Sequence, residues 1–443
     1  MNQQELHDKI LDLVREYAET YHQPAPYHKG DRIPYASRVY DAEEMTNLVD
    51  SALEFWLTSG RYTQQFEKGL AEYLGVRHCV VVNSGSSANL LAFMTLTSPL
   101  LGDRRIHRGD EIITVAAGFP TTVSPIVNYG AVPVFVDVTI PQYNIDVTKL
   151  EAALSEKTKA VMLAHTLGNP FDIQAVKSFC DAHDLWLVED NCDALGSRYT
   201  LDGEERFTGT FGDIGTSSFY PPHHMTMGEG GAVYTDNDLL AKIVRSMRDW
   251  GRDCICPPGR DNFCGHRFDR KFGELPLGYD HKYVYSHFGY NLKVTDMQAA
   301  IGCAQLKKLP SFTERRRHNF ERLHDLLADL GDAFILPEPC ENSKPSWFGF
   351  LMTCREGVDC VKVVRAIEEK GVQTRRLFAG NLTLHPCFDV LRQEGCGYRI
   401  VGGLENTDRI LKDTFWIGVY PGMTDEKLDD MAEVVHEAVK MTV

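Results

Sequence analysis

Five short runs of apolar and β-branched residues recur in the first half of the chain, and stretches with helical spacing separate them. The runs cover residues 79–82, 111–115, 132–136, 160–163 and 185–188. Runs of this length that alternate with helices predict the buried strands of a mostly parallel sheet with helices on both faces. Ligands of such sheets bind at the carboxyl ends of the strands, so the residues that follow each run are the first candidates for a site.

The segments outside this core have different patterns. Charges alternate with apolar residues at helical spacing over 1–21, which predicts a helix, and the proline-rich stretch 22–35 predicts an extended arm that does not pack. Residues 254–290 are rich in Gly, Pro, Cys, Phe and basic residues and have no periodicity, which is unusual for a loop without a function. A helix over 295–308 is predicted to end before a second, charged helix that follows Pro310.

We therefore expect an α/β protein in three parts. They are an N-terminal helix and arm over 1–35, a large domain over 36–310 that includes the cysteine-rich loop at 254–290, and a smaller C-terminal α+β domain over 311–443.

The bulk composition narrows the class of protein. The chain has 443 residues, 43% of them hydrophobic, and a formal net charge of −16 at pH 7 that is spread along its length. We expect no nucleic-acid partner, because phosphate contacts need a basic face. We also expect a cytoplasmic protein without a membrane partner, since the sequence has neither the long apolar run of a membrane span nor the apolar core of a secretory signal. Twelve cysteines in a reducing compartment indicate ligand or catalytic roles and not a disulfide framework.

Two of the predicted strands lead into residues that suit an anionic ligand with a cationic ring. The run at 79–82 is followed by small residues that include Ser84, Gly85 and Ser86, and such a turn into a helix can hold a phosphate. Small residues also cap many helices that bind nothing. Asp190 follows the run at 185–188 and could pair with a protonated ring nitrogen, although a single aspartate in this position is more often a helix cap or a loop carboxylate.

The run at 216–231, with the sequence TSSFYPPHHMTMGEGG, resembles the lysine-bearing segment of the sugar aminotransferases in the aspartate aminotransferase fold family. Other segments match that family in the same order. Residues 83–89 resemble its phosphate loop, 118–120 its segment with a ring-stacking aromatic, 188–190 its ring-nitrogen strand, and 289–291 with 295–300 the stretch that reaches the partner subunit's cofactor.

The resemblance implies a pyridoxal-phosphate-dependent fold of type I and a homodimer. It also implies a set of cofactor-binding residues: Ser84, Gly85, Ser86, Phe119, Asp190, Asp193, Ser218, Tyr220 and, from the other subunit, Asn291.

The first departure from the family is His223, which takes the place of the lysine that binds the cofactor covalently. Imidazole cannot form that bond, so the cofactor would be held without covalent attachment, as pyridoxamine phosphate or as free pyridoxal phosphate. Histidine suits proton removal at neutral pH, and we expect His223 to be the catalytic base. The alternative is an inactive protein whose histidine only packs, and the adjacent His224 does not match the lysine position.

The second departure is the group Cys254, Cys256 and Cys264, together with Cys192, which follows Asp190 and Asn191. The spacing is neither that of a zinc ribbon nor that of the usual ferredoxins, so the residues alone fit zinc or an iron-sulfur cluster. Cys180 competes with Cys192 as a fourth ligand. The remaining cysteines are expected to be buried apolar residues: Cys79, Cys180, Cys303, Cys340, Cys354, Cys360, Cys387 and Cys396.

The two departures together resemble one branch of the family, the CDP-4-keto-6-deoxyglucose 3-dehydrases of 3,6-dideoxysugar biosynthesis. This resemblance implies that the four cysteines 192, 254, 256 and 264 hold a [2Fe-2S] cluster, which receives electrons from an NADH-dependent flavin and iron-sulfur reductase. The expected reaction is C3 deoxygenation of a CDP-linked 4-keto-6-deoxyhexose, with Arg375, Arg376 and Lys293 as candidate diphosphate contacts.

Three other functions stay open. The first is a 3-dehydrase that needs no cluster and takes its amine from glutamate. The second is a sugar aminotransferase, and the third is a metal-stabilised binding protein with a degenerate pocket.

Overall fold

The structure is a computed structural model that describes residues 1–254, 256 and 259–442. Its main feature is an eight-stranded sheet with the order β1-β9-β8-β5-β4-β2-β3-β14. The strands of this sheet are parallel except β9, which runs antiparallel to both of its neighbours. The strands of the chain are β1 His78–Val82, β2 Glu111–Val115, β3 Val132–Val136, β4 Thr158–Ala164, β5 Trp186–Asp190, β6 Arg198–Leu201, β7 Glu204–Phe207, β8 Ile214–Ser218, β9 Gly231–Thr235, β10 Phe334–Ile335, β11 Ser343–Lys344, β12 Gly349–Cys354, β13 Thr374–Arg376, β14 Arg399–Ile400 and β15 Thr414–Gly418.

Helices cover both faces of this sheet and one face of a smaller one. The second sheet is antiparallel with the order β10-β12-β15-β13, and a third joins β11, β6 and β7. The helices are α1 Gln3–Tyr21, α2 Ala42–Glu54, α3 Arg61–Leu74, α4 Gly85–Thr95, α5 Pro120–Tyr129, α6 Leu150–Ala153, α7 Ile173–Ala182, α8 Asp238–Arg248, α9 Asp296–Leu326, α10 Cys360–Glu369, α11 Asp389–Glu394, α12 Glu405–Asp413 and α13 Asp425–Thr442. Among the described residues, no helix combines the length and the apolar character needed to cross a bilayer.

The expected α/β class and the five predicted strands are confirmed, because β1 to β5 occupy those runs within one or two residues. Their side chains are almost entirely buried, as strands covered on both faces require. The pattern did not identify the other three strands of this sheet, β8, β9 and β14, and β9 carries Gly231 at the point where it passes the start of α4. A Cβ on Gly231 would lie 2.4 Å from the carbonyl oxygen of Ser84, so only glycine permits this approach.

Two predictions about local structure are wrong. The helices expected on either side of Pro310 form one helix, α9, which contains Pro310 in its interior. Buried residues such as Leu309 and Phe312 anchor α9 on both sides of the proline, so packing outweighs the one backbone hydrogen bond that proline removes. The arm over 22–35 also packs, because Ile33 is buried and pairs with Val372 of the small domain.

The start of α9 also holds the start of α3. The carboxylate of Asp296 is fully buried and accepts hydrogen bonds from the backbone N–H of Gly60 at 2.8 Å, of Tyr62 at 3.1 Å and of Thr63 at 2.8 Å. The N-cap residue of α3 is Gly60, which has no side chain to satisfy these groups. A residue from a distant helix therefore caps α3 and fixes the two helices relative to each other.

We predict that Asp296→Ala lowers the free energy of unfolding by about 3 kcal/mol, because it leaves several buried N–H donors without an acceptor. Urea unfolding monitored by circular dichroism measures this change. The control is Asp238→Ala, which also alters the first residue of a helix but at an exposed position, and it should leave the unfolding midpoint nearly unchanged. Equal midpoints for the two variants would contradict the capping role of Asp296.

Candidate active site

A cavity of about 550 Å³ lies at the carboxyl ends of β1, β5 and β8, where the first turns of α4 and α5 also meet. It collects most of the residues that the sequence singled out. Those that line it are Ser84, Gly85, Ser86, Phe119, Asp190, Cys192, Asp193, Ser218, Tyr220, His223, Arg375 and Arg376. Remote segments of the chain therefore form one site at the sheet edge where ligands of such folds bind.

One end of the cavity is suited to an anion. Ser84 is the N-cap of α4, and its side chain accepts a hydrogen bond from the N–H of Ser87 at 3.1 Å. Gly85 packs directly on the end of β8, because a Cβ on it would lie 2.3 Å from the Cβ of Ser218. The helix N-terminus and the hydroxyl groups of Ser84, Ser86 and Ser218 thus form a small concave surface with a positive dipole.

The carboxylate of Asp190 also lines the cavity, and this residue is 4% exposed. One oxygen accepts hydrogen bonds from Asn89 and Thr122, each at 2.7 Å, and the other accepts from the N–H of Cys192 at 3.2 Å. These donors are uncharged, so the buried negative charge can still pair with a cationic group in the cavity. Thr216 donates in turn to Asn89 at 2.7 Å and fixes the orientation of its amide.

The neighbouring carboxylate of Glu189 points to the other side of the sheet. It accepts hydrogen bonds from the backbone N–H of Gly209, Phe211 and Gly212 at 2.6 to 2.8 Å, and it contacts His165 Nε2 at 2.9 Å. Burial pushes the pKa of Glu189 upward, but the hydrogen bonds from His165 and the backbone outweigh burial and lower that pKa. Glu189 is therefore an anchor for the segment before β8, and Asp190 is the carboxylate that faces the cavity.

The imidazole of His223 is mostly buried beside Asp193. His223 Nε2 lies 3.1 Å from Asp193 Oδ1, and the rings of Tyr220 and Phe348 lie edge-on to the imidazole at 5.2 and 5.4 Å. This distance places the carboxylate of Asp193 as the charged partner of the imidazole. Nδ1 is buried and has no hydrogen-bond partner.

The adjacent histidine faces away from the cavity. His224 is buried, and its Nε2 lies 2.7 Å from the carbonyl oxygen of Ser346. Burial, together with the positive charge of Arg316, holds the pKa of His224 well below its usual value. His224 is thus a neutral structural histidine, in keeping with the interpretation that His223 and not His224 occupies the functional position.

Aromatic and basic side chains form the outer wall of the cavity. Phe119 is half exposed and lies 6.1 Å from the ring of Phe378. The guanidinium of Arg375 lies over the ring of Tyr35 at 4.1 Å. Burial and a hydrogen bond with Tyr35 raise the pKa of Tyr220 to about 12, so its hydroxyl stays protonated. The wall can therefore stack on a flat ring and contact an anionic group.

Two candidates lie outside this cavity of their own chain. Asn291 pairs with Asp249 through its backbone, and its side chain accepts from Lys293 at 2.9 Å. Lys293 is also 3.5 Å from the centre of the ring of Trp250. Neither residue lines the cavity. The expectation for Asn291 concerned the partner's cofactor, and it stays a prediction together with the homodimer.

The three loop cysteines lie close together. The N–H of Cys256 is 3.4 Å from the sulfur of Cys254, and both residues line one small cavity with Cys264 and His281. The sulfur of Cys264 lies 3.7 Å from His281 Nδ1, and His281 Nε2 contacts Asp253 at 2.7 Å.

Cys192 lies in the active-site cavity instead, where burial and the charge of Asp190 raise the pKa of its thiol. Within the described ranges, no group of three or more His, Cys, Asp and Glu side chains is arranged to hold a metal ion. As placed, the four thiols do not form one ligand set and do not fit a two-iron cluster. The prediction that Cys192, Cys254, Cys256 and Cys264 ligate such a cluster is therefore carried by the sequence resemblance alone.

The other cysteines are only partly as expected. Cys79, Cys180, Cys303, Cys354 and Cys360 are buried, and Cys340 is partly so. The prediction is wrong for Cys387 and Cys396, which are exposed on either side of the short helix α11, because a lone apolar residue in a short connecting segment does not reveal whether the segment is covered.

Sequence reasoning missed several residues that line or support the cavity. Thr122, in the first turn of α5, could have been found from its place after a predicted strand. Tyr35, His385 and Phe348 come from segments that no local pattern connects with the site. Arg316 lies on the charged helix that was expected after Pro310, where nothing in the sequence singled it out, and it is 1% exposed.

The cavity fits pyridoxamine phosphate or pyridoxal phosphate held without a covalent bond. Three of its features would each satisfy one part of that molecule: the concave surface at Ser84 and Ser218 the phosphate, the uncompensated carboxylate of Asp190 the ring nitrogen, and Phe119 the ring face. The unpaired Nδ1 of His223 is a buried polar atom that a bound group could satisfy.

The chain is similar to proteins of known or assigned function over nearly its whole length. It is 53% identical over 432 residues to a lipopolysaccharide biosynthesis protein, RfbH, of Salmonella typhimurium, with 97% of each chain covered. It is 48% identical to a dTDP-4-dehydro-2,6-dideoxy-D-glucose 3-dehydratase of Saccharopolyspora spinosa, with 98% of this chain and 92% of the relative covered. A crystal structure of a GDP-4-keto-6-deoxymannose 3-dehydratase with a trapped PLP-glutamate geminal diamine superimposes with a TM-score of 0.78 at 30% identity, over 91% of this chain and 99% of the other.

These similarities confirm the fold type I architecture of pyridoxal-phosphate enzymes and an enzyme that acts on nucleotide sugars, as a dehydratase or an aminotransferase. The sequence profile of the DegT/DnrJ/EryC1/StrS aminotransferase family matches residues 39–436. The chain therefore belongs to the DegT/DnrJ/EryC1/StrS aminotransferase family.

Proposed function

We propose that this protein removes the C3 hydroxyl group of a nucleotide-linked 4-keto-6-deoxyhexose, with pyridoxamine phosphate bound without covalent attachment. The observation that carries the proposal is His223. By the sequence resemblance it takes the place of the cofactor-binding lysine, and it lies in a cavity that Ser84, Ser86, Ser218 and Asp190 also line. A family member without that lysine cannot hold its cofactor covalently, but histidine can still move a proton.

Each side chain of the cavity has a defined task in this proposal. When bound, the cofactor would supply an amine for the C4 ketone of the sugar and a ring that can delocalise the electron pair left at C4′ until the C3 hydroxyl group departs with its electrons. Asp190 keeps the ring nitrogen protonated, and Ser84, Ser86 and Ser218 hold the phosphate. His223 accepts the proton from C4′ of the cofactor, and Asp193 stabilises the positive charge that the imidazole then carries.

The relatives support dehydration over amino transfer. The Saccharopolyspora protein and the superimposed crystal structure are both 3-dehydratases by name, and both match this chain over more than nine tenths of its length. The finer expectation that the nucleotide is CDP follows from the sequence resemblance. Arg375 and Arg376 at the cavity wall are suited to a diphosphate but do not distinguish one base from another.

The reaction also needs a source of electrons or of amine, and two sources remain candidates. Transfer of an amino group from glutamate to the cofactor is favoured by the glutamate adduct named in the superimposed structure. Delivery of electrons from a reductase through a cluster is favoured by the grouping of Cys254, Cys256 and Cys264 around one small cavity. The second source requires Cys192 to meet the loop thiols in the loaded protein.

We predict that His223→Asn slows exchange of the C4′ hydrogen of pyridoxamine phosphate with deuterated water, measured with the 4-keto-sugar nucleotide that makes this hydrogen acidic, by at least about 100-fold, since a positioned base contributes that much. Mass spectrometry of the recovered cofactor measures the exchange. The neighbouring variant His224→Asn, which changes a histidine outside the cavity, should stay within about tenfold of wild type. Exchange at the wild-type rate in His223→Asn would remove the base from this proposal.

We also predict that His223→Lys becomes covalently labelled at residue 223 when pyridoxal phosphate and borohydride are added, because a lysine amine there can bond to the cofactor aldehyde. Peptide mapping identifies the labelled residue. Wild-type protein should release its cofactor on dialysis and show no labelled lysine. A labelled lysine in the wild type would mean that this chain is an ordinary aminotransferase with its lysine elsewhere.

If the cluster is the electron source, protein purified without oxygen will contain iron and acid-labile sulfide in equal amounts. Cys254→Ser, Cys256→Ser and Cys264→Ser will then lose the iron and product formation while C4′ exchange persists. Elemental analysis and the exchange assay measure both. Iron-free wild type whose turnover depends on glutamate would instead establish the glutamate-dependent 3-dehydratase.

A further inference from the structure

A buried arginine contacts the backbone of His223. Arg316, on α9, is 1% exposed. Its Nη2 donates to the carbonyl oxygen of His223 and its Nη1 to that of Trp347, both at 3.1 Å. Its Nε has no partner in the described structure. The guanidinium therefore donates hydrogen bonds to backbone carbonyls of two different loops.

One of these loops carries His223, and the other contributes a ring that lies beside it. Trp347 precedes Phe348, whose ring lies 5.4 Å from the imidazole of His223. The stack of Trp347 on Phe320 of α9, at 3.7 Å between ring centres, holds the second loop against the same helix. The orientation of the imidazole thus depends on a helix that contributes no side chain to the cavity.

Burial of a charged side chain at this position has a desolvation cost. Burial lowers the pKa of Arg316 to about 9, and the negative charge of Asp193 partly opposes the effect. The group still carries its proton at pH 7. An apolar side chain of similar volume would avoid the desolvation cost, but it could not hold two carbonyl oxygens at fixed positions.

We propose that Arg316 is the positioning residue for His223, which fixes the imidazole beside Asp193 by holding the carbonyls of His223 and Trp347. The inference rests on the proposed role of His223 as the base. It predicts that loss of Arg316 slows proton transfer without weakening cofactor binding, since the phosphate and ring-nitrogen contacts lie on other elements.

The adjacent Arg317 provides a matched control. It is on the same helix and donates to the carbonyls of Lys344 and Pro345 in the same loop, and to that of Gly196, but not to His223. Arg316→Met should slow C4′ exchange at saturating cofactor by about 100-fold, the cost of a small misplacement of a reacting group, with the dissociation constant of pyridoxamine phosphate within about threefold of wild type. Arg317→Met should change both quantities by less than about threefold.

A second measurement needs no cofactor. In protein that carries carbon-13-labelled histidine, the ring signal that disappears in His223→Asn belongs to His223. That signal should move or broaden in Arg316→Met and stay in place in Arg317→Met. If Arg316→Met does not fold, as judged by circular dichroism, Arg316→Lys decides. It keeps the charge but reaches only one carbonyl, and its exchange should be about tenfold slower.

Exchange within about threefold of wild type in the folded Arg316 variant would overturn the inference. So would an equal loss in the Arg316 and Arg317 variants, because loop damage alone would then explain both. His223→Asn in the same assay separates this failure from that of the proposed function. Normal exchange in His223→Asn removes the base itself, whereas loss there with normal exchange in Arg316→Met removes only the positioning role.

Discussion

Consecutive residues of a strand point to opposite faces of a sheet, and at the end of β5 this alternation separates two carboxylates. Glu189 turns away from the cavity and holds the segment before β8 through three backbone N–H groups. Asp190 can then face the cavity in a fixed position, held by Asn89 and Thr122. The site depends on this division, because the same two charges on one face would repel each other and leave the chain around β8 without an anchor.

In the proposed function, the exchange of one residue changes the chemistry of the site. Histidine in place of lysine would give up the covalent hold on the cofactor, so binding would depend on the phosphate surface, the carboxylate at the ring nitrogen and stacking. It keeps a group that can take and return a proton. The carboxylate of Asp193, 3.1 Å from the imidazole, is the partner that such a base needs and a covalently bound lysine does not.

The apolar runs were sufficient for five of the core strands, and the family resemblance was sufficient for most of the residues that line the cavity. Buried parallel strands appear as apolar runs, and the residues after them must meet at one edge. The sequence was insufficient where distant segments decide the outcome. Packing on both sides carried α9 through Pro310, and Ile33 became buried because Val372 happens to lie beside it. No local pattern singled out Arg316, since the sequence does not show that α9 passes beneath two loops. The cysteine loop is the largest remaining disagreement, because Cys192 and the other three thiols follow different elements.

The continuous helix α9 links distant parts of the molecule. Its 31 residues extend over about 46 Å at 1.5 Å per residue. The first turn of α9 caps α3 through Asp296. A later turn contacts the segment that follows β15, where Asn319 donates to the carbonyls of Val419 and Tyr420. Arg316 lies between these two attachments. A displacement of α9 would therefore shift the hydrogen-bonded carbonyls of His223, Val419 and Tyr420 together.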